Sequence, residues 1–209
     1  MSNNKFGWGW RSAAVVLVAA FACGVAGARE RAVDVAGCGG PRCAPVLTTG
    51  AIDVAFSPGP AGEALVIKVI DSAREGGSIR LMAYSFTSAP IVAALLRAKR
   101  ERHVDLALVV DHKDNVQHDA RGKARAALGA LAAAGVQIRT VNAFAIAHDK
   151  VIIVDGRHVQ TGSFNYSAAA AKSNSENVIV VWDSPQLAYS YMEHWQRNWD
   201  LGQAWQVPF

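Results

Sequence analysis

His148, Lys150, Asp155, Ser163 and Asn165 fall within eighteen residues of one another. An imidazole can attack phosphorus or carry a proton, and an ammonium can hold the non-bridging oxygens of a phosphodiester. Phosphoryl transfer depends mostly on positioning and charge stabilisation, so these groups need a rigid mount. Val151-Ile152-Ile153-Val154 supplies one, because four apolar, mostly β-branched residues in a row read as a buried strand. Alternate side chains of a strand share a face, which aims His148 and Lys150 the same way.

The spacing His148-x-Lys150-x4-Asp155-x6-Gly162-Ser163-x-Asn165 resembles the HxK(x4)D(x6)GSxN signature of the phospholipase D superfamily. Outside the signature, Ala83-Tyr84-Ser85-Phe86-Thr87, the apolar run ending at Asp111, Asn174-Ser175-Glu176-Asn177 and Glu193-His194-Trp195 look like the small bacterial Nuc-type endonucleases. The likeness runs from about residue 52 to 199, and residues 111–125 depart from it. It implies a single α/β domain, a mixed β-sheet flanked by helices on both faces.

In that frame the resemblance makes His148 the nucleophile, with Lys150, Ser163 and Asn165 holding oxygens. Glu176 becomes the carboxylate that supports an imidazolium, on the expectation that the last strand runs beside the signature strand. Asp155 completes the catalytic set by pattern. Its place beside Gly156 also suits a structural role, holding the turn that presents residues 162–165. No metal or other cofactor is called for. Asp111, His112, Asp114, His118 and Asp119 are metal-ligand types without a fixed ligand spacing.

Only His148 has lysine two residues on, so the chain carries one signature. Small single-signature relatives join two copies at a two-fold axis, which implies a homodimer with one composite site. The expected substrate is nucleic acid, DNA or RNA. The rival is a phospholipase D or phosphatidyltransferase acting on phospholipid, less favoured because no obvious acyl-binding segment stands out.

The elements around the signature alternate. Strands are expected at 52–56, 79–86, 104–110, 136–141, 151–154, 158–161 and 178–182, and helices at 64–74, 89–102, 124–134 and 185–199. Residues 111–121 read as a polar loop. Tyr84 and Phe86 read as core, while Phe144 and Phe164 flank the signature and suit either core or base stacking.

The first 28 residues read as a cleavable signal peptide: Lys5 and Arg11, an apolar run, then Ala26-Gly27-Ala28. This implies a periplasmic or secreted protein. Residues 29–50 form a Gly/Pro-rich leader whose Cys38 and Cys43 suit a disulfide in an oxidising compartment. The catalytic domain is expected over 51–205. Of 21 basic residues the signal peptide holds two, leaving 19 against 17 acidic ones. So mild an excess names no partner. Two local basic groups, Arg97/Lys99/Arg100/Arg102 and Arg121/Lys123/Arg125, suit either phosphate contacts or solvated helix faces.

Overall fold

The computed structural model describes residues 50–206. The expected signal peptide, the leader to residue 49 and the Cys38–Cys43 pairing lie outside the described residues.

Eight strands make one mixed sheet: β1 (Ile52–Ser57), β2 (Ser78–Ala83), β3 (Asp105–Asp111), β4 (Gln137–Val141), β5 (Lys150–Val154), β6 (His158–Gly162), β7 (Glu176–Val181) and β8 (Gln203–Ala204), in the order β1-β7-β6-β5-β2-β3-β4-β8. β2, β3 and β4 are parallel, as their helical crossovers require, and the other pairings are antiparallel. The α-helices of the described residues are α1 (Pro60–Asp71), α2 (Ala89–Glu101), α3 (Lys123–Ala133), α4 (Ala168–Lys172) and α5 (Pro185–Leu201).

The strand period divides the core. Leu81, Ala83, Leu106, Leu108, Ile152 and Val154 face α1 to α4, while Met82, Ala107, Val109, Val151 and Ile153 face α5. Central strands covered on both faces have no polar positions to spare, hence the unbroken apolar runs. Trp195 fixes α5 on its face: it is 4% exposed, its indole N–H donates to Leu81 O at 3.2 Å, and it stacks on Trp199.

Three expectations need correction. α1 begins at Pro60 rather than 64, because proline at the first helical position has its φ preset and no N–H to lose. The polar loop contains a π-helical turn, Lys113–Gln117. Strand β2 ends at Ala83, after which the chain turns out of the sheet along residues 84–88. The short α4 and β8 have too few residues to show a period.

One edge of the sheet collects the chemistry. Ala83 pairs with Lys150 and Ser57 with Glu176, so the ends of β1 to β4 and β6 meet the starts of β5 and β7 there. In open α/β sheets the carboxyl ends of the parallel strands are where ligands are met. The basic group on α2 lies at the opposite edge, where Arg97 and Arg102 pair with Asp71.

Asp155 also lies at that opposite edge, about 16 Å along the strand from Lys150 at the usual rise per residue. It corrects two expectations, since it neither joins the catalytic groups nor braces residues 162–165. Its carboxylate is 1% exposed and accepts from Ser78 N (2.9 Å), Arg74 N (3.0 Å) and Arg74 Nε (3.2 Å). A Cβ on Gly77 would come within 2.1 Å of that carboxylate, which explains the glycine. Asp155 and Gly156 both have positive φ and turn β5 into β6. Asp155→Ala is therefore expected to lower unfolding free energy by about 2–4 kcal/mol, measured in urea. Phosphodiester hydrolysis per folded molecule should stay near wild type.

Candidate active site

Lys150 opens β5 with its side chain inward, and the residue is 5% exposed. Its ammonium donates to His148 O at 2.8 Å and lies 5.1 Å from the Tyr84 ring centroid. Burial lowers its pKa below the ordinary 10.5, and the nearby carboxylates of Asp149, Glu176 and Asp114 oppose that shift. A desolvated cation with one backbone acceptor and one aromatic face has donor capacity left for an anion.

His148 is exposed, and its imidazole packs on Tyr84, with centroids 4.8 Å apart and planes tilted by 58°. Tyr84 thus touches both signature residues. The sequence reading put it in the core on the strength of strand propensity, but it lies just past the end of β2, beyond the sheet. Burial and the Asp114 and Asp111 carboxylates push its phenol pKa up, keeping it neutral near pH 7.

Asp111 and Asn115 hold this corner. Asp111 is 2% exposed, and its carboxylate accepts from Asp114 N and Ala147 N, both at 2.8 Å. The second bond fixes the residue just before His148. Asn115, fully buried, donates to Tyr84 O (2.6 Å) and Asp111 O (2.8 Å) and accepts from Phe86 N (3.0 Å). Lys113 donates to Ala145 O at 3.1 Å and so ties down the approach loop. His112 contacts Thr140 Oγ1 at 3.1 Å. Among the described residues no group of three His, Cys, Asp or Glu is arranged to hold a metal. The signal for this brace was Asp111 at the end of an apolar strand with Asn115 four residues on.

From the other face of the sheet, α5 grips the signature. Asp149 points opposite to His148 and Lys150, and His194 Nε2 lies 3.2 Å from both its carboxylate oxygens. Arg197 donates to His194 Nδ1 at 2.8 Å, which leaves Nε2 as the donor to Asp149. Asp149 O accepts from Tyr84 N at 2.9 Å.

Ser163 and Asn165 follow β6. The strand bends at Gly162 (φ 145°), where a Cβ would lie 2.3 Å from Asn177 O. Ser163 Oγ donates to Glu176 Oε2 at 2.6 Å and accepts from Asn177 N at 3.1 Å. Glu176 also accepts from Asn174 Nδ2 at 3.0 Å. Asn165 Oδ1 is buried without a partner among the described residues. Phe164 is fully buried, so of the two flanking aromatics Phe144, 38% exposed, is the one that faces solvent.

The expected neighbourhood of Glu176 needs correction. β7 does not run beside β5, because the tight Asp155-Gly156 hairpin gives that place to β6. Glu176 is accordingly held by Ser163 and Asn174, not by His148.

Fold and site define the class: a strand-mounted phosphodiesterase domain of the phospholipase D type. A family model described as "Cardiolipin synthase, PLD-like domain" matches residues 66–199. The chain belongs to the phospholipase D superfamily and, within it, to the Nuc type. The solved phospholipase D family member Nuc of Salmonella typhimurium is 45% identical, with a TM-score of 0.70 over 75% of this chain and 98% of its own. The phospholipase D of Rickettsia bellii (strain RML369-C) is 36% identical over 149 residues, 71% of this chain and 69% of that protein. NucT from Helicobacter pylori, 21% identical with a TM-score of 0.62 over 74% of this chain and 100% of its own, shares the fold.

Lys150 generates a prediction with a definite sign. A lysine whose folded pKa is depressed weakens the fold while it is charged, and that penalty fades as pH rises toward 10.5. Lys150→Met should therefore match or exceed wild-type thermal stability while losing about 10³-fold or more in phosphodiester hydrolysis. In the wild type the alkaline limb of the rate profile should fall below pH 10.5.

Proposed function

We propose that this protein is an exported endonuclease that hydrolyses DNA or RNA phosphodiesters without a metal, using a site completed by a second copy of the chain. The observation that carries the reading is an exposed imidazole and a buried ammonium that share the Tyr84 ring, present once per chain, within a Nuc-type sequence. Such a chain needs a second imidazole, and an isologous two-fold axis at the catalytic edge would supply it.

The chemistry then balances in two steps. His148 attacks phosphorus, a P–N bond forms, and the P–O bond to the leaving nucleoside breaks as the partner's His148 protonates that oxygen. Next the partner's His148 takes a proton from water, the water oxygen attacks phosphorus, and the P–N bond breaks to free His148. Lys150 Nζ and Asn165 Nδ2, both donors, would hold non-bridging oxygens in both steps. Glu176, steadied by Ser163 and Asn174, is a carboxylate near enough to support the charge of Lys150.

An apolar stripe supports the assembly. Ile52, Val54 and Phe56 on edge strand β1 are 56%, 51% and 65% exposed, and Phe56 lies in register with Asn177, next to Glu176. Three apolar side chains on an open edge strand are a recognised pairing hazard unless something covers them. A second copy would do so while bringing the two catalytic edges together. Val54→Glu/Phe56→Glu is expected to sediment as a monomer and lose nearly all activity, whereas the wild type sediments as a dimer.

A second reading, action on phospholipid, is favoured by one specific feature. Between α2, α3 and α4 lies an apolar groove of about 600 Å³, bordered by Val92, Leu96, Ala127 and Ala171 with Lys123 and Lys172 at its rim. The Rickettsia relatives also carry the name phospholipase D. The deciding experiment is plasmid cleavage by the 29–209 protein in excess EDTA, beside His148→Ala and a phosphatidylcholine hydrolysis assay. The proposal expects cleavage that survives chelation and falls at least about 10⁴-fold in the variant. Intact DNA with choline release would sink it in favour of the lipid reading.

A further inference from the structure

The polar stretch of residues 111–125 does more than brace the site. A second, polar cavity of about 310 Å³ opens beside it. One wall is Ser85 and Thr87, the other His118, Arg121 and Lys123. Each end of the first wall lies one residue away from a group at the site. Ser85 follows Tyr84, whose ring meets His148, and Thr87 N donates to Tyr166 O at 2.7 Å, next to Asn165. A chain leaving the scissile position along this edge would pass this cavity.

The charges in it are unevenly committed. Arg121 and Lys123 are exposed, and neither has a salt bridge or side-chain hydrogen bond among the described residues. Seven other basic side chains pair with an Asp: Lys68, Arg74, Arg80, Arg97, Arg102, Arg125 and Arg157. Two carboxylates also line the cavity. Asp119 is already answered by Arg125, through its backbone N–H at 2.9 Å and Nε at 3.6 Å. Asp114 lies toward Tyr84, at the inner end. The outer part therefore presents two unpaired cations, an imidazole and two hydroxyls toward the same space, a donor set for a phosphate.

We propose that Arg121 and Lys123, with Ser85 and Thr87, form a subsite for a non-scissile phosphate of a polynucleotide. This rests on the endonuclease reading and deepens it, because a substrate with a single phosphodiester has nothing to place there. The subsite contacts backbone and no base edge, so it adds affinity without sequence preference. It engages the strand beyond the cut and raises the local concentration of polyanion at the exposed His148.

The test compares the wild type with Arg121→Ala/Lys123→Ala on two substrates: a single-stranded oligodeoxynucleotide, and bis(p-nitrophenyl) phosphate, which has one phosphodiester. The variant is expected to show a KM for the oligonucleotide raised on the order of 10-fold. Its dependence of log(kcat/KM) on log salt should be shallower by about 0.7, the loss of one neutralised phosphate on a single strand. Turnover of bis(p-nitrophenyl) phosphate should change less than about twofold, which also reports that the variant is folded. Equal losses on both substrates, or an unchanged KM and salt slope for the oligonucleotide, would overturn the subsite alone. A wild type that hydrolyses cardiolipin vesicles and leaves the oligonucleotide intact would overturn the endonuclease reading and the subsite with it.

Discussion

A lysine ammonium at the end of a central strand loses most of its water. Among the described residues no carboxylate pairs with that of Lys150 directly, although Asp149, Glu176 and Asp114 lie near enough to support its charge. The protein accepts that cost at Lys150 by giving the ammonium one carbonyl, that of His148, and one aromatic face, that of Tyr84. Neither satisfies it fully. The remaining attraction is for an anion that arrives from the solvent side, at the point where His148 is exposed. Much of the surrounding architecture serves to keep these three residues in place.

The braces come from both faces of the sheet. On one side Asp111 holds Ala147 and Asn115 holds Tyr84, so the residues beside the imidazole and beneath it are both pinned by buried side chains. On the other, α5 reaches Asp149 through His194 and Arg197. Alternation along the strand allows this: His148 and Lys150 serve the chemistry while Asp149, between them, serves the scaffold. A preorganised site of this kind loses little in reorganising when charge develops at phosphorus. Asp155 belongs to the same logic one strand length away, anchoring the far end of β5 to the start of β2.

The mount and its chemistry were legible in the sequence because both are local. Four apolar residues after Lys150 announce a buried strand, and Asp155-Gly156 announces its hairpin. What was not legible depends on neighbours. That hairpin gives β6 the place beside β5, which sends Glu176 to Ser163 rather than to His148, and no local pattern fixes such an order. Tyr84 looked like core because its strand looked longer than it is; pairing ends at Ala83, and the ring falls onto the imidazole instead. Phe164, equally ambiguous by type, went the other way into the core. Polar residues that hold backbone at a distance, such as Asn115, show only as an unremarkable loop until the fold supplies their partners.

Substrate choice is then a question about the rim, since the imidazole and ammonium see the same phosphodiester in a nucleic acid and in a lipid. Lys123 and Thr87 border both the polar cavity and the apolar groove, so one cation stands between two environments of opposite character. An acyl chain in the groove would gain from burial against Val92 and Leu96, at roughly 25 cal/mol for each Å² covered. It would leave Arg121 idle. A polynucleotide would use Arg121 and Lys123 together and could lay a base against the groove's apolar wall, since every base has an apolar face. A polynucleotide thus engages both features at once, which a lipid with a single phosphodiester does not.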